Sequence, residues 1–186
     1  MHAIRLRTPI IYYGGKQKLA SRIISLIPRH TLYCEPFIGG AAIFFAKRPS
    51  EIEVINDTNG ELINFYRTLK EDFSALEAEI STSLHSRDLH RKASLIYNNP
   101  DMFDSVKRAW AVWILSTQSF AGMLDGTWDS ICQKTPQQKN QYQTSRLHPH
   151  FCTKTATLSA GMCRCIIRHR KQGYPRELLL LRSSLL

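Results

Sequence analysis

A chain of 186 residues, 43% of them hydrophobic, is long enough for one domain with a substantial core, or for one domain and an appendage. Its longest apolar run, Ala109 to Leu115, falls far short of the roughly 20 residues needed to cross a bilayer. No secretory signal precedes the glycines of MHAIRLRTPIIYYGGK, so no membrane partner and a cytoplasmic location are expected. The net charge of +10 is unevenly held, with 15 basic and 14 acidic residues up to Asp129 but 10 basic and 1 acidic from Ser130 onward. Cysteine divides the same way. Cys34 stands alone in the first part, Cys132, Cys152, Cys163 and Cys165 crowd the last, and the odd count argues for reduced thiols.

In chain order, TPIIYYGGKQK is a strand-like apolar run followed by two aromatics, two glycines and a lysine. Tyr12 and Tyr13 beside Gly14-Gly15 suit the cover of a flat, adenine-like ring, and Lys16 suits a carboxylate or phosphate; a β-turn with a solvated lysine would read the same. Leu19, Ile23, Ile24 and Ile27 then recur on one helical face until Pro28. The stretch Leu32 to Cys34 predicts a short strand that ends at Glu35 and passes through Pro36 and Phe37 into the Gly39-Gly40 turn before an apolar helix. Such a turn lets backbone approach a ligand and exposes N–H groups at the helix start, although an ordinary tight turn has the same sequence. A second strand, Ile52 to Ile55, ends at Asn56-Asp57. In nucleotide-binding α/β units an acidic residue at that tip accepts hydrogen bonds from ribose hydroxyls.

Thr58 to Glu61 has capping-box spacing, and LINFYRTLKEDFSALEAEI continues as helix, with Leu62, Phe65, Tyr66, Leu69, Phe73, Leu76 and Ile80 facing a core. Ser83 to Asn98 reads as another helix, closed by Asn98-Asn99-Pro100. Asp101 is placed to cap the long helix MFDSVKRAWAVWILSTQ, whose Phe103, Val106, Trp110, Trp113 and Ile114 are core residues by their spacing. SFAGMLDGTWDS is a glycine-punctuated loop that keeps Phe120, Met123, Leu124 and Trp128. Such side chains fold back on the core or meet a partner, and against DNA they wedge or stack. Beyond it, Gln133 to Gln143 is polar and aperiodic, and RELLLLRSSLL is a leucine run without caps. Cys132, His148, His150, Cys152, Cys163 and Cys165 lack the paired short spacings of a structural zinc site, so no metal is expected. The basic charge fits either phosphate neutralisation or a solvated tail.

Assembled in this order, the motifs over roughly Thr8 to Trp128 resemble the DNA adenine methyltransferases, in particular the Dam-like enzymes that use S-adenosylmethionine. Tyr12 to Lys16 is similar to the family's aromatic-x-Gly-Gly-Lys, Glu35-Pro36-Phe37-Ile38-Gly39 to its EPFxGxG, and Asp57 to its ribose-binding acid. FAGM at Phe120 to Met123 is similar to the aromatic-Asn-Gly-Leu loop that touches DNA. The resemblance implies an α/β fold with a partial Rossmann-like methyltransferase sheet and a helical target-recognition segment. It implies cofactor contacts from Tyr12, Tyr13, Gly14, Gly15, Lys16, Glu35, Pro36, Phe37, Gly39, Gly40 and Asp57, and DNA contacts from Phe120 and Gly122. Double-stranded DNA is the implied partner, and a cognate restriction endonuclease belongs to a restriction–modification setting. The divisions expected are a cofactor-binding part at 1–58, a recognition segment at 59–129 and a basic, unstructured tail at 130–186.

Three departures stand out. Ala41 replaces the second glycine of the cofactor motif; Ala121 replaces the loop's polar residue, with Asp125 where a basic contact would help; and no DPPY-like tetrapeptide occurs anywhere. The DPPY motif polarises adenine's weakly nucleophilic amine and stacks on the flipped base, so this chain is not expected to methylate DNA by itself. Under an assumed A-rich codon choice, Gln133 to Gln141 reads in another frame as the Lys/Asn/Thr-rich string the family carries there, which suggests a frameshift near Trp128 to Ile131. A sheet lacking later strands would leave an unpaired edge and low stability. A non-catalytic DNA-binding or regulatory protein using the basic tail is the alternative.

Overall fold

The computed structural model describes residues 8–129 and the backbone of 179–182. The expected cysteine-containing tail lies outside the described residues apart from those four. The stretch Thr8 to Tyr12 bends at Pro9 and Ile10 and joins no sheet, contrary to its strand-like appearance. It is held by side chains instead: the Thr8 hydroxyl donates to the Ile10 carbonyl at 2.7 Å, the Gln17 amide donates to Thr8, and Ile10 is fully buried.

Strand β1 (Leu32–Glu35) and strand β2 (Ile52–Ile55) are parallel, pairing Leu32 with Ile52 through Glu35 with Ile55. Parallel neighbours need a crossover, supplied here by the glycine turn and the short helix α2 (Ala42–Ala46), which buries Ala42 to Phe45. Strand β3 (Leu179–Arg182), inside the terminal leucine run, pairs antiparallel with β2 and gives the order β1-β2-β3. The free side of β2 is thereby covered, and β3 becomes an outer strand. The other edge, along β1, has no partner strand among the described residues.

Helix α1 is confined to Ala20–Ser25 and fully buries only Ala20, while Ile23, Ile24 and Ile27 of the expected apolar face are half-buried. The Gly14-Gly15 turn delays its start and Pro28 limits its end, leaving Leu19 and Leu26 exposed. The helix expected from Thr58 breaks into α3 (Gly60–Glu71) and α4 (Phe73–Ser81) at Asp72, whose φ of −128° is not helical. Its cap is Asn59, which accepts from the Glu61 N–H at 3.0 Å. The Glu61 side chain, expected to complete a capping box, instead receives a bidentate pair from Arg108 across the bundle at 3.0 and 2.5 Å. Helix α5 (Arg87–Asn98) starts four residues later than expected, with Ser86 as its cap. Helix α6 (Ser105–Gln118) is capped by Asp104 rather than Asp101, which sits in a 3-10 turn before it.

Helix α6 is buried continuously from Ala109 to Ser116, as expected for a helix apolar all round. It packs against α3, α4 and α5, and Trp113 and Ile114 are fully buried with Leu62, Phe65, Leu69, Leu76 and Ile80. Phe73, Phe103 and Val106 lie at the margin. The cluster continues without interruption to Phe44, Phe45 and Ile55, so one core joins the small sheet to the helices.

Candidate functional site

The C-terminal ends of β1 and β2 carry Glu35 and, two residues past β2, Asp57, as their strand lengths require. Between them the glycine turn is stitched down on both sides. The Ile38 N–H donates to the Asn56 carbonyl at 2.9 Å, the Gly39 N–H donates to Asp57 Oδ2 at 2.9 Å, and the Tyr66 hydroxyl donates to the Gly39 carbonyl at 2.7 Å. The other carboxylate oxygen of Asp57 accepts from the Asn59 N–H at 3.0 Å. Asp57 is therefore buried and holds the motif loop to the start of α3, a bracing role that its position in sequence did not announce.

The Gly14-Gly15 turn, closed by the Gly15 N–H on the Tyr12 carbonyl at 3.0 Å, brings Tyr12 across the second glycine pair. A methyl group on Gly39 would lie 3.1 Å from the Tyr12 ring, and one on Gly40 would lie 3.2 Å from Tyr12 Cβ. The expected close approach of backbone to ligand is thus, at these two glycines, an approach to Tyr12. The result is a cavity of about 250 Å³ lined by ten of the eleven residues expected to contact cofactor. Pro36 is the exception, and its carbonyl accepts from the Asn56 side chain. Ile38, Ala42, Ile43 and Thr58 also line the cavity and were not anticipated. Their signal was only proximity to the motifs.

Burial and neighbouring charge shift two of the side chains that line the cavity. Burial pushes the Glu35 carboxyl above its ordinary value, opposed by the Tyr33 hydroxyl donating at 3.1 Å and by Lys16. A carboxyl raised in the folded state loses stability as pH rises through that value, and a ligand ammonium beside it would offset the loss. Burial likewise raises the Tyr12 phenol, with Asp57 adding to it, so Tyr12 stays neutral and presents an uncharged ring. Behind the cavity Lys47, at the end of α2, is buried against Glu53 and donates to the Ser50 hydroxyl at 2.9 Å. Its ammonium stands 4.1 Å from the centre of the Tyr33 ring.

The loop after α6 is closed by the Phe120 N–H on the Thr127 carbonyl at 2.9 Å and the Asp129 N–H on the Gln118 carbonyl at 2.9 Å. Phe120 is 56% exposed while Leu124 is buried, so the loop offers one aromatic ring outward. Gly122 is buried with φ +71°. A Cβ there would lie 2.8 Å from Ile11 Cγ2, so this residue seats the loop on the segment leading to Tyr12. Phe120 and Gly122 do not line the cavity. The Asp125 carboxylate adds a small part to the raised values of Tyr12 and Tyr97.

The two replaced motif positions share a cause for comment. Ala41 has φ 56° and Ala121 φ 54°, the left-handed region that glycine adopts freely and asparagine tolerates. For Ala41, the expected cost of one methyl near a ligand becomes a cost in backbone strain, offset by a fully buried methyl. Ala121 is exposed and has no such offset. Ala121→Gly and Ala121→Asn are expected to stabilise the protein by about 1 kcal/mol, read from the urea midpoint, whereas Ala41→Gly stays near neutral.

A family profile described as D12 class N6 adenine-specific DNA methyltransferase matches residues 12–164. The chain belongs to this family. It is 35% identical over 127 residues to the Type II methyltransferase M1.LlaDCHI of Lactococcus lactis subsp. cremoris, covering 64% of this chain and 44% of that protein. It is 30% identical over 112 residues to the DNA N-6-adenine-methyltransferase of Escherichia phage P1, covering 59% of this chain and 15% of that protein. A 28% match over 129 residues links it to the Type II methyltransferase M.MjaIII of Methanocaldococcus jannaschii, covering 59% and 45%. The chain thus spans less than half the length of these curated relatives. Its β1–α2–β2 unit is the expected part of a Rossmann-like methyltransferase sheet. No helix among the described residues is long and apolar enough to cross a membrane, and no group of three metal-ligating side chains occurs among them.

Proposed function

We propose that this chain is the cofactor- and target-binding part of a DNA adenine methyltransferase: it holds S-adenosylmethionine in the Tyr12–Gly39–Asp57 cavity and presents the Phe120 loop to double-stranded DNA. The observation that carries this reading is the convergence of three separate stretches, 12–16, 35–40 and 57–58, on one cavity. The residues fit the group. Glu35 is a partly buried carboxylate in want of a cation, Lys16 complements a carboxylate, Tyr12 and Phe37 offer ring faces, and Asp57 retains lone pairs for hydroxyl donors. When bound, the cofactor supplies a methyl group on a sulfonium. The chain's own residues bind and orient it.

Activation of the adenine amine needs an acceptor pair of the DPPY kind, which the sequence lacks, so binding without methyl transfer is the expected behaviour. A restriction endonuclease is the partner that a restriction–modification setting would add. The test is calorimetric titration of S-adenosylmethionine into the full chain and into Phe37→Ala and Lys16→Ala, both exposed positions that leave the fold intact. Saturable binding of one cofactor per chain, weakened about tenfold in Lys16→Ala, is expected from the loss of a charge-assisted hydrogen bond. Affinity unchanged in both variants would refute the site.

A further inference from the structure

One face of α5 carries Arg87, Arg91, Ser94 and Asn98, spaced i, i+4, i+7 and i+11, which places four hydrogen-bonding side chains in a row about 16 Å long. Ala93 and Ile96 on the other side of the helix are buried, while buried His90 and exposed Leu95 flank the row and line the same groove. The row opens into a groove of about 660 Å³ whose far wall is Thr127 and Trp128, the closing end of the Phe120 loop. Arg87 lies with its guanidinium 5.1 Å from the Trp128 ring centre, and among the described residues it pairs with no carboxylate. That is a cation held in place and available. Two contacts fix α5 to the junction of α6 and the loop: the Ser86 N–H donates to the Gln118 side chain at 3.1 Å, and the His90 ring shares a hydrogen bond of 2.8 Å with the Ser119 hydroxyl.

From this arrangement we infer that the α5–Trp128 groove seats the phosphodiester backbone of DNA beside the segment met by the Phe120 loop. The inference rests on the proposed DNA-binding reading and adds to it a second, sequence-independent contact surface. Arg87 and Arg91 neutralise phosphates, the Ser94 hydroxyl donates to them, and Asn98, whose amide donates to the Ser94 carbonyl at 2.8 Å, extends the polar row, which is long enough to follow several phosphates of one strand. Asp88 is the carboxylate that faces this row. It pairs with Arg91 at 3.2 Å and Lys92 at 2.7 Å, so DNA must compete with it for Arg91.

The test measures binding of a fluorescein-labelled mixed-sequence duplex of twenty base pairs to the full chain across a salt series, for the wild type, Arg87→Gln/Arg91→Gln and Asp88→Asn. All three altered side chains are exposed, so the fold is retained, and unchanged S-adenosylmethionine binding verifies it. The double variant is expected to lower the slope of log K against log salt by about 2, one per lost phosphate contact, and Asp88→Asn to raise affinity severalfold. A slope unchanged in the double variant, with the wild type binding normally, overturns the groove alone. A wild type that does not bind duplex DNA at any salt overturns the underlying reading as well.

Discussion

Asp57→Ala is expected to abolish S-adenosylmethionine binding and to destabilise the protein by about 2–4 kcal/mol, because the substitution strips two backbone N–H groups, of Gly39 and Asn59, of their acceptors at once. The carboxylate is buried, and water cannot simply replace it at both ends. The glycine turn then loses its tie to the start of α3 and keeps only the Tyr66 and Asn56 attachments. Asp57→Asn separates stability from binding. It keeps one acceptor oxygen, so urea denaturation should show a loss of about 1–2 kcal/mol, while cofactor affinity falls at least tenfold for want of a charged hydroxyl acceptor. Either variant binding with unchanged affinity would remove Asp57 from the site.

The second large effect lies behind the cavity. Lys47→Met should cost about 3–5 kcal/mol, since it leaves the Glu53 carboxylate buried with the Ser50 N–H as its main remaining donor at 3.1 Å. Glu53→Leu should cost a similar amount by removing the carboxylate that the buried ammonium faces. The double variant, Lys47→Met with Glu53→Leu, should be less destabilised than either single one, because no unmatched buried charge remains and both replacements pack against Tyr33 and β2. Urea denaturation of the four proteins gives the coupling directly. Single variants within 1 kcal/mol of the wild type would show that the pair is hydrated and that α2 is anchored by its apolar residues alone.

What the sequence discloses is local, and what it conceals is tertiary. Strand β2 ends where β-branched residues give way to Asn56-Asp57, and the residues that line the cavity stand at glycine turns and strand tips, which are short-range signals. The capping box at Thr58 failed for a reason 47 residues away, because Arg108 claims Glu61 and leaves Asn59 to cap α3. Asp101 lost its capping role to Asp104 because Pro100 opens a 3-10 turn before the helix can start. The glycines at 39 and 40 were legible as a close approach, but that the partner is Tyr12 depends on a contact across the fold. The alanines at 41 and 121 were visible as departures, and their left-handed backbone explains why glycine and asparagine are the residues they replace.

The coupling between the two ends of the protein is also physical rather than sequential. Asn59 follows the bracing carboxylate and donates from its side chain to the Tyr97 hydroxyl at 2.8 Å, joining the cavity to α5. Gly122 rests on Ile11, joining the loop to Tyr12.

The most direct test of the central claim is ultraviolet cross-linking of methyl-labelled S-adenosylmethionine to the full chain, followed by peptide mapping. Label is expected on the peptides holding Tyr12, Tyr13 or Phe37, displaced by unlabelled cofactor. Label confined to any other segment, or none displaced by unlabelled cofactor, would contradict it.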